Sequence, residues 1–98
     1  MSGLKPIRFD WDNGNLEHTT KHGVSPSEIE YLFTHDPMVS PDPYPVNVEE
    51  RWRAIGKNED GRHVFVVFMF RTVEDALCIR PISARYMHRK EIENYEQG

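Results

Sequence analysis

Two histidines four residues apart, His18 and His22, share one face of any helix they occupy. Imidazoles so placed can hold a phosphate or exchange protons near neutrality. The same spacing is half of a zinc site, but Glu17 precedes the first histidine and no third ligand stands at a telling distance. The sequence therefore asks for no metal and no other cofactor. The plainer reading of this segment is that Lys21 and His22 complement the negative end of a helix dipole while His18 is an ordinary surface residue. Arg51 and Arg53, two apart on an expected strand, project from one face and suit a bidentate anion; pairing with Glu49, Glu50 or a cross-strand acid is the structural alternative. Between Ala76 and Lys90 lie Arg80, Arg85, Arg89 and Lys90 with no carboxylate among them. Arg85 and Arg89 straddle the start of an expected last helix, whose backbone donors add to anion binding. Tyr95 reads first as a packing residue with its hydroxyl near the surface.

The chain contains no Gly-rich phosphate loop, no Cys-His or Ser-His-Asp arrangement and no acidic metal cluster. What remains is metal-free chemistry on an anion, carried by His and Arg. Phosphodiester cleavage in RNA fits it most naturally, because the substrate brings its own nucleophile, the 2′-hydroxyl. The protein then has only to position the chain, move two protons and stabilise the charge of the phosphorane. The expected catalytic group is His22, aided by His18, with Arg51, Arg80 and Arg85 on the scissile phosphate. Arg53, Arg89, Lys90 and Lys21 are expected around the substrate.

Positioning these residues falls to a short series of elements. Ile7 to Trp11 alternates as a half-buried strand does, and Asp12 offers an N-cap for a helix from about Asn13 to His22 that stops at Gly23. Ser25-Pro26-Ser27-Glu28 is a capping box opening a second helix that ends at His35-Asp36-Pro37. Met38-Val39-Ser40 reads as a short strand, and Pro41, Pro43 and Pro45 as a stiff exposed loop. Arg51 to Gly56 and Arg62 to Phe70 form a hairpin about the turn Asn58 to Gly61. Val64 to Phe70 lacks polar alternation, so it is expected at the centre of the sheet with both faces covered. A turn at Thr72 to Asp75, a strand from Ala76 to Ile82 and a helix from about Met87 to Gln97 complete the order β-α-α-β-β-β-α. This predicts an α+β fold, an antiparallel sheet of about four strands with helices packed on one face, in one domain over residues 1–98.

The 98 residues suit one domain, and 38% hydrophobic with 29% charged residues supports a modest core. Net charge is −4, made of 3 basic and 9 acidic residues in 1–50 and 9 and 7 in 51–98. The acidic first half raises a second functional reading, a non-catalytic module that binds a basic partner protein. The single Cys78 sits in an apolar run, which excludes a disulfide framework and fits a reducing cytoplasm. Neither a leader-like N-terminus nor an apolar stretch long enough for a membrane is present, so a cytoplasmic location is expected.

Several of these motifs together resemble a known family. Phe9-Asp10-Trp11-Asp12, Lys21-His22-Gly23-Val24-Ser25 leading to Glu28, Arg51-Trp52 through Ile55-Gly56, the Val-rich strand, and Ile82-Ser83-Ala84-Arg85 with Glu91 and Tyr95 resemble the BrnT toxins of bacterial type II toxin-antitoxin pairs. The resemblance spans about residues 7 to 96 and implies a RelE-like fold and a ribonuclease that halts translation. It further implies an antitoxin with a ribbon-helix-helix DNA-binding domain, and assembly as a homo-oligomer or a toxin-antitoxin hetero-oligomer. Residue by residue it supports His22, Arg51, Arg80, Arg85 and Tyr95. The chain departs from the commonest family pattern in having Gly14 and His18 where a lysine and an asparagine are usual, and Asn15, Glu17 and His18 are expected on the helix surface.

Overall fold

The computed structural model of the chain describes residues 7–42 and 50–96. Helices α1 (Asn13–Thr20) and α2 (Pro26–Phe33) precede strands β1 (Met38–Pro41), β2 (Trp52–Lys57), β3 (His63–Val73) and β4 (Ala76–Tyr86), and helix α3 (Arg89–Glu96) follows. The strands form one antiparallel sheet in the order β1-β2-β3-β4, which is the expected α+β architecture. The segment before α1 adds a single parallel bridge, Phe9 to Ile79, along the free edge of β4. Pro43, Pro45, Glu49, Gln97 and the first six residues lie outside the described residues.

Local chemistry explains the helix limits. Ser25 and Glu28 cap α2 reciprocally, the hydroxyl accepting from the Glu28 N–H at 3.2 Å and the carboxylate from the Ser25 N–H at 2.9 Å. That carboxylate also accepts from Asn58 Nδ2 and from the Tyr86 hydroxyl, each at 2.8 Å, so one side chain joins α2, the β2–β3 turn and the end of β4. Burial would raise the Glu28 pKa, but the Ser25 N–H, Asn58 and Tyr86 outweigh it and hold the carboxyl below its ordinary range. Helix α1 ends at Thr20, ahead of the expected His22. The hydroxyls of Thr19 and Thr20 bond back to carbonyls one turn earlier, an arrangement that loosens a helix. Gly23, at φ +90°, makes the turn that follows.

Val64, Val66 and Phe68 of β3, with Ala54 of β2 and Ala84 of β4, face α2 residues Ile29, Leu32 and Phe33 in the core. Gly56 lets α2 settle close, since a Cβ there would stand 2.9 Å from Leu32 Cγ. The other face of β3 carries Phe65, Val67 and Met69, which are only half-buried. The expectation that both faces of this strand are covered is thus met only on the helix side. On the open side arginines take the place of a second layer. Helix α3 reaches that side at one end, its Tyr95 ring against His63 with centroids 5.9 Å apart. The β3–β4 turn is two residues, Glu74 and Asp75, both at positive φ, which extends the hairpin beyond its expected length at that end.

Pro81 sits in the middle of β4, an edge strand, where a residue without an N–H is tolerated on the side away from β3. There the pairing passes from Val67–Ser83 to Phe68–Pro81, leaving Ile82 without a partner residue, a β-bulge. The Pro81 carbonyl accepts instead from Asn15 Nδ2 at 3.0 Å, and the second Nδ2 hydrogen goes to the Asp10 carbonyl at 2.8 Å. Asn15 Oδ1 accepts from the Asp12 N–H at 2.7 Å, which closes the α1 capping box. Asn15 is therefore buried at 5% exposure and not on the helix surface as expected. Asn15→Ala should cost about 2–4 kcal/mol by stranding two carbonyls and a cap, read as a lower urea midpoint, whereas Glu17→Ala on the exposed face should shift it by under about 0.5 kcal/mol.

Candidate active site

The bulge decides which side chains meet. Arg80 pairs with Met69 and Arg85 with Phe65, positions of equal parity on β3, so both arginines stand on the open face although five residues separate them. Arg51, one residue before Trp52, falls on the same face opposite Met69 by continuation of the β2–β3 register. Because Asn15 pins α1 to the bulge, His18 comes up one turn later beside the same floor. The result is a cavity of about 310 Å³ lined by Gly14, Asn15, His18, Arg51, Met69, Arg80, Pro81 and Ile82. A second concavity continues from it along α1, lined by Gly14, Glu17, His18 and Lys21.

Of the cavity's two arginines one is fixed and one is spare. Arg80 Nη1 stands 3.1 Å from Asp10 Oδ2 and 3.0 Å from Asp12 Oδ2, with its side chain only 18% exposed. Arg71 adds a 3.4 Å contact to Asp10. The Arg80 hydrogen bond holds the Asp12 carboxyl below its ordinary range, and the Asp12 hydrogen bond in turn raises Arg80. Arg51 has no carboxylate partner among the described residues, and its Nε lacks any hydrogen-bond acceptor. Two aspartates against Arg71 and Arg80 nearly cancel, so among the described residues Arg51 carries the cavity's uncompensated positive charge. An imidazole beside such a guanidinium and a rigidly held one can hold a phosphodiester and move a proton at it.

Residues 11–91 match the family described as the ribonuclease toxin BrnT of type II toxin-antitoxin systems. The chain belongs to the BrnT family. No curated protein matches it. The matched span contains every residue that lines the cavity, together with the Arg85–Glu91 pair of the Ile-Ser-Ala-Arg motif. No helix among the described residues is long and apolar enough to cross a membrane.

Of the residues singled out by type and spacing, the cavity gathers His18, Arg51 and Arg80, and Lys21 lines its extension. His22 lies past the end of α1, exposed, and lines neither concavity. The expected carboxylate-free anion patch between Ala76 and Lys90 does not exist in space. Arg80 is met by Asp10 and Asp12 from about 70 residues away, Arg85 by Glu91 and Arg89 by Glu93. Local sequence counts neighbours along the chain, and these acids arrive through the fold. Arg53 stands 3.7 Å from Asp42, Lys90 is exposed on α3, and Tyr95 packs on His63, all away from the cavity. Asn15 and Asp10 were not expected to matter; a proline in mid-strand at position 81 was the signal that a bulge, and a side chain to satisfy its carbonyl, would be needed.

Arg85 gives Glu91 two bonds of 2.8 Å each, and the His88 N–H gives it a third at 2.8 Å. Arg85 and then the His88 N–H lower the Glu91 pKa from 4.5 to about 2. A folded-state value below the unfolded one means this carboxylate stabilises the fold fully above pH about 4.5 and loses that effect as pH falls toward 2. With its side chain 36% exposed, screening reduces the contribution to about 1 kcal/mol. Thermal stability should therefore decline over that acid range, and Glu91→Gln should remove this part of the decline while lowering stability at pH 7.

Proposed function

We propose that this chain is an endoribonuclease that cleaves RNA without a metal ion and thereby inhibits translation in the cytoplasm, held in check by an antitoxin carrying a ribbon-helix-helix domain. Membership of a ribonuclease toxin family supports the substrate class. The observation that carries the site assignment is the cavity that places His18 beside Arg51, which has no carboxylate partner among the described residues, and a carboxylate-fixed Arg80.

In the proposed reaction the scissile phosphate sits between Arg51 and Arg80. The substrate's 2′-oxygen attacks phosphorus as His18 takes its proton, and the bond to the 5′-oxygen breaks to leave a 2′,3′-cyclic phosphate and a 5′-hydroxyl. Imidazole suits the proton transfer because its ordinary titration lies near neutrality. The leaving 5′-oxygen draws its proton from water, to which the exposed His18 end of the cavity is open. Arg51 stabilises the charge of the dianionic phosphorane, and Arg80, already held by Asp10 and Asp12, adds a fixed N–H donor at the cavity wall. His22 and Arg85, outside the cavity, are not needed for these steps.

The reading as a module that binds a basic partner through its acidic half finds less support. Asp10, Asp12 and Asp42 face the chain's own arginines, Glu28 holds Asn58 and Tyr86, and Glu30 accepts from Trp11 Nε1 at 2.8 Å.

Purified protein incubated with RNA and a chelator should cleave it, leaving cyclic phosphate ends. Arg51→Ala and His18→Ala should each slow cleavage by roughly 10²- to 10³-fold, by analogy with loss of a transition-state donor, and His22→Ala should match the parent. Equal cleavage by all of them would assign the activity to a contaminant.

A further inference from the structure

Along the open face, four residues of β3 separate the cavity floor at Met69 from Phe65, about 13 Å of extended strand. Arg85 stands there in an arrangement unlike that of a phosphate ligand. Its guanidinium carbon lies over the Phe65 ring, 4.7 Å from the centroid, and both of its Nη atoms are engaged by Glu91. Arg53 flanks the same ring at 5.8 Å. Glu91 neutralises Arg85 and would repel a phosphate approaching in the guanidinium plane. What the carboxylate leaves available is the flat outer face, and the side chain is 39% exposed. An immobilised planar cation over an aromatic ring, with one edge of its plane already given to a carboxylate, suits a partner that is planar and uncharged. Unpaired nucleobases stack on guanidinium planes in this way.

We propose that Arg85, fixed by Phe65 and Glu91, is a stacking platform for an unpaired base of the RNA strand that flanks the bond cleaved in the cavity. The proposal rests on RNA being the substrate and adds a base-binding subsite to the phosphate site. It also accounts for an arginine that the cavity does not use. Loss of one stacked base weakens binding by roughly 5- to 150-fold, the range set by about 1–3 kcal/mol per base.

The test uses the full chain and a short fluorescein-labelled single-stranded oligoribonucleotide, together with versions carrying one abasic ribose at each successive position. Binding is read by anisotropy and cleavage in parallel. The parent should bind one abasic version about 10-fold more weakly than the intact strand. Arg85→Lys, which keeps the charge opposite Glu91 but loses the plane, should bind the intact strand as weakly as the parent binds that version, and should be indifferent to the abasic position. Phe65→Leu should reproduce this, with thermal melting reporting that each variant is folded. Equal binding of all abasic versions by the parent, or position sensitivity retained in Arg85→Lys, would overturn the platform. Positional binding without cleavage would uphold the platform and overturn the cleavage reaction, and cleavage without positional binding would do the reverse. Failure to bind RNA at all would overturn both.

Discussion

The contact between the Asn15 amide and the Pro81 carbonyl organises the rest of this molecule. Pro81 stands in β4, an edge strand, beside a residue that the ladder leaves unpaired, and its carbonyl takes its donor from outside the sheet. An unsatisfied buried carbonyl would cost roughly 1–3 kcal/mol. Asn15 meets it from the first turn of α1, and the same side chain closes the helix cap and holds the Asp10 carbonyl. One amide thus sets three things at once: where α1 begins, how it lies against the sheet edge, and how far His18 stands from the arginines. The bulge in turn rotates the second half of β4 so that Arg80 and Arg85 share a face.

Much of the scaffold was legible in the residues themselves. Ser25-Pro26-Ser27-Glu28 announces α2 because a cap, a proline and a reciprocating glutamate are all local devices. The run from Val64 to Phe70 announces a central strand, and Arg51 with Arg53 announces one basic face of β2, because strand parity holds wherever the ladder is regular. The last residues of α1 were less legible. Gly23 suggested the stop, yet the hydroxyls of Thr19 and Thr20 compete for carbonyls within the last turns, and the helix ends at Thr20.

The site was legible only in part, for a physical reason. His18, Arg51 and Arg80, singled out by type, do line one cavity, but whether each arginine is paired depends on acids that the fold delivers. Asp10 and Asp12 precede Arg80 by about 70 residues and reach it because Phe9 bridges to Ile79 beside it. Counting charges along the chain cannot foresee that, and it hides the distinction between Arg51, without a carboxylate partner among the described residues, and Arg85, which has Glu91. Parity counting fails in the same place: across Pro81 and Ile82 the two-residue period is interrupted.

The Glu28 junction and the Arg80 cluster fasten opposite ends of the sheet by different means. At one end a carboxylate accepts from an amide, a phenol and a backbone N–H, groups whose attraction does not depend on a counter-charge. At the other, α1 is held beside β4 partly by paired ions, and Asp12 is 52% exposed. Dissolved electrolyte weakens exposed ion pairs and leaves neutral donors almost untouched. Ionic strength therefore acts on this molecule asymmetrically: brine weakens the ties at the mouth around His18 while the α2 end keeps its shape, which makes the cavity end the more salt-sensitive half of the sheet.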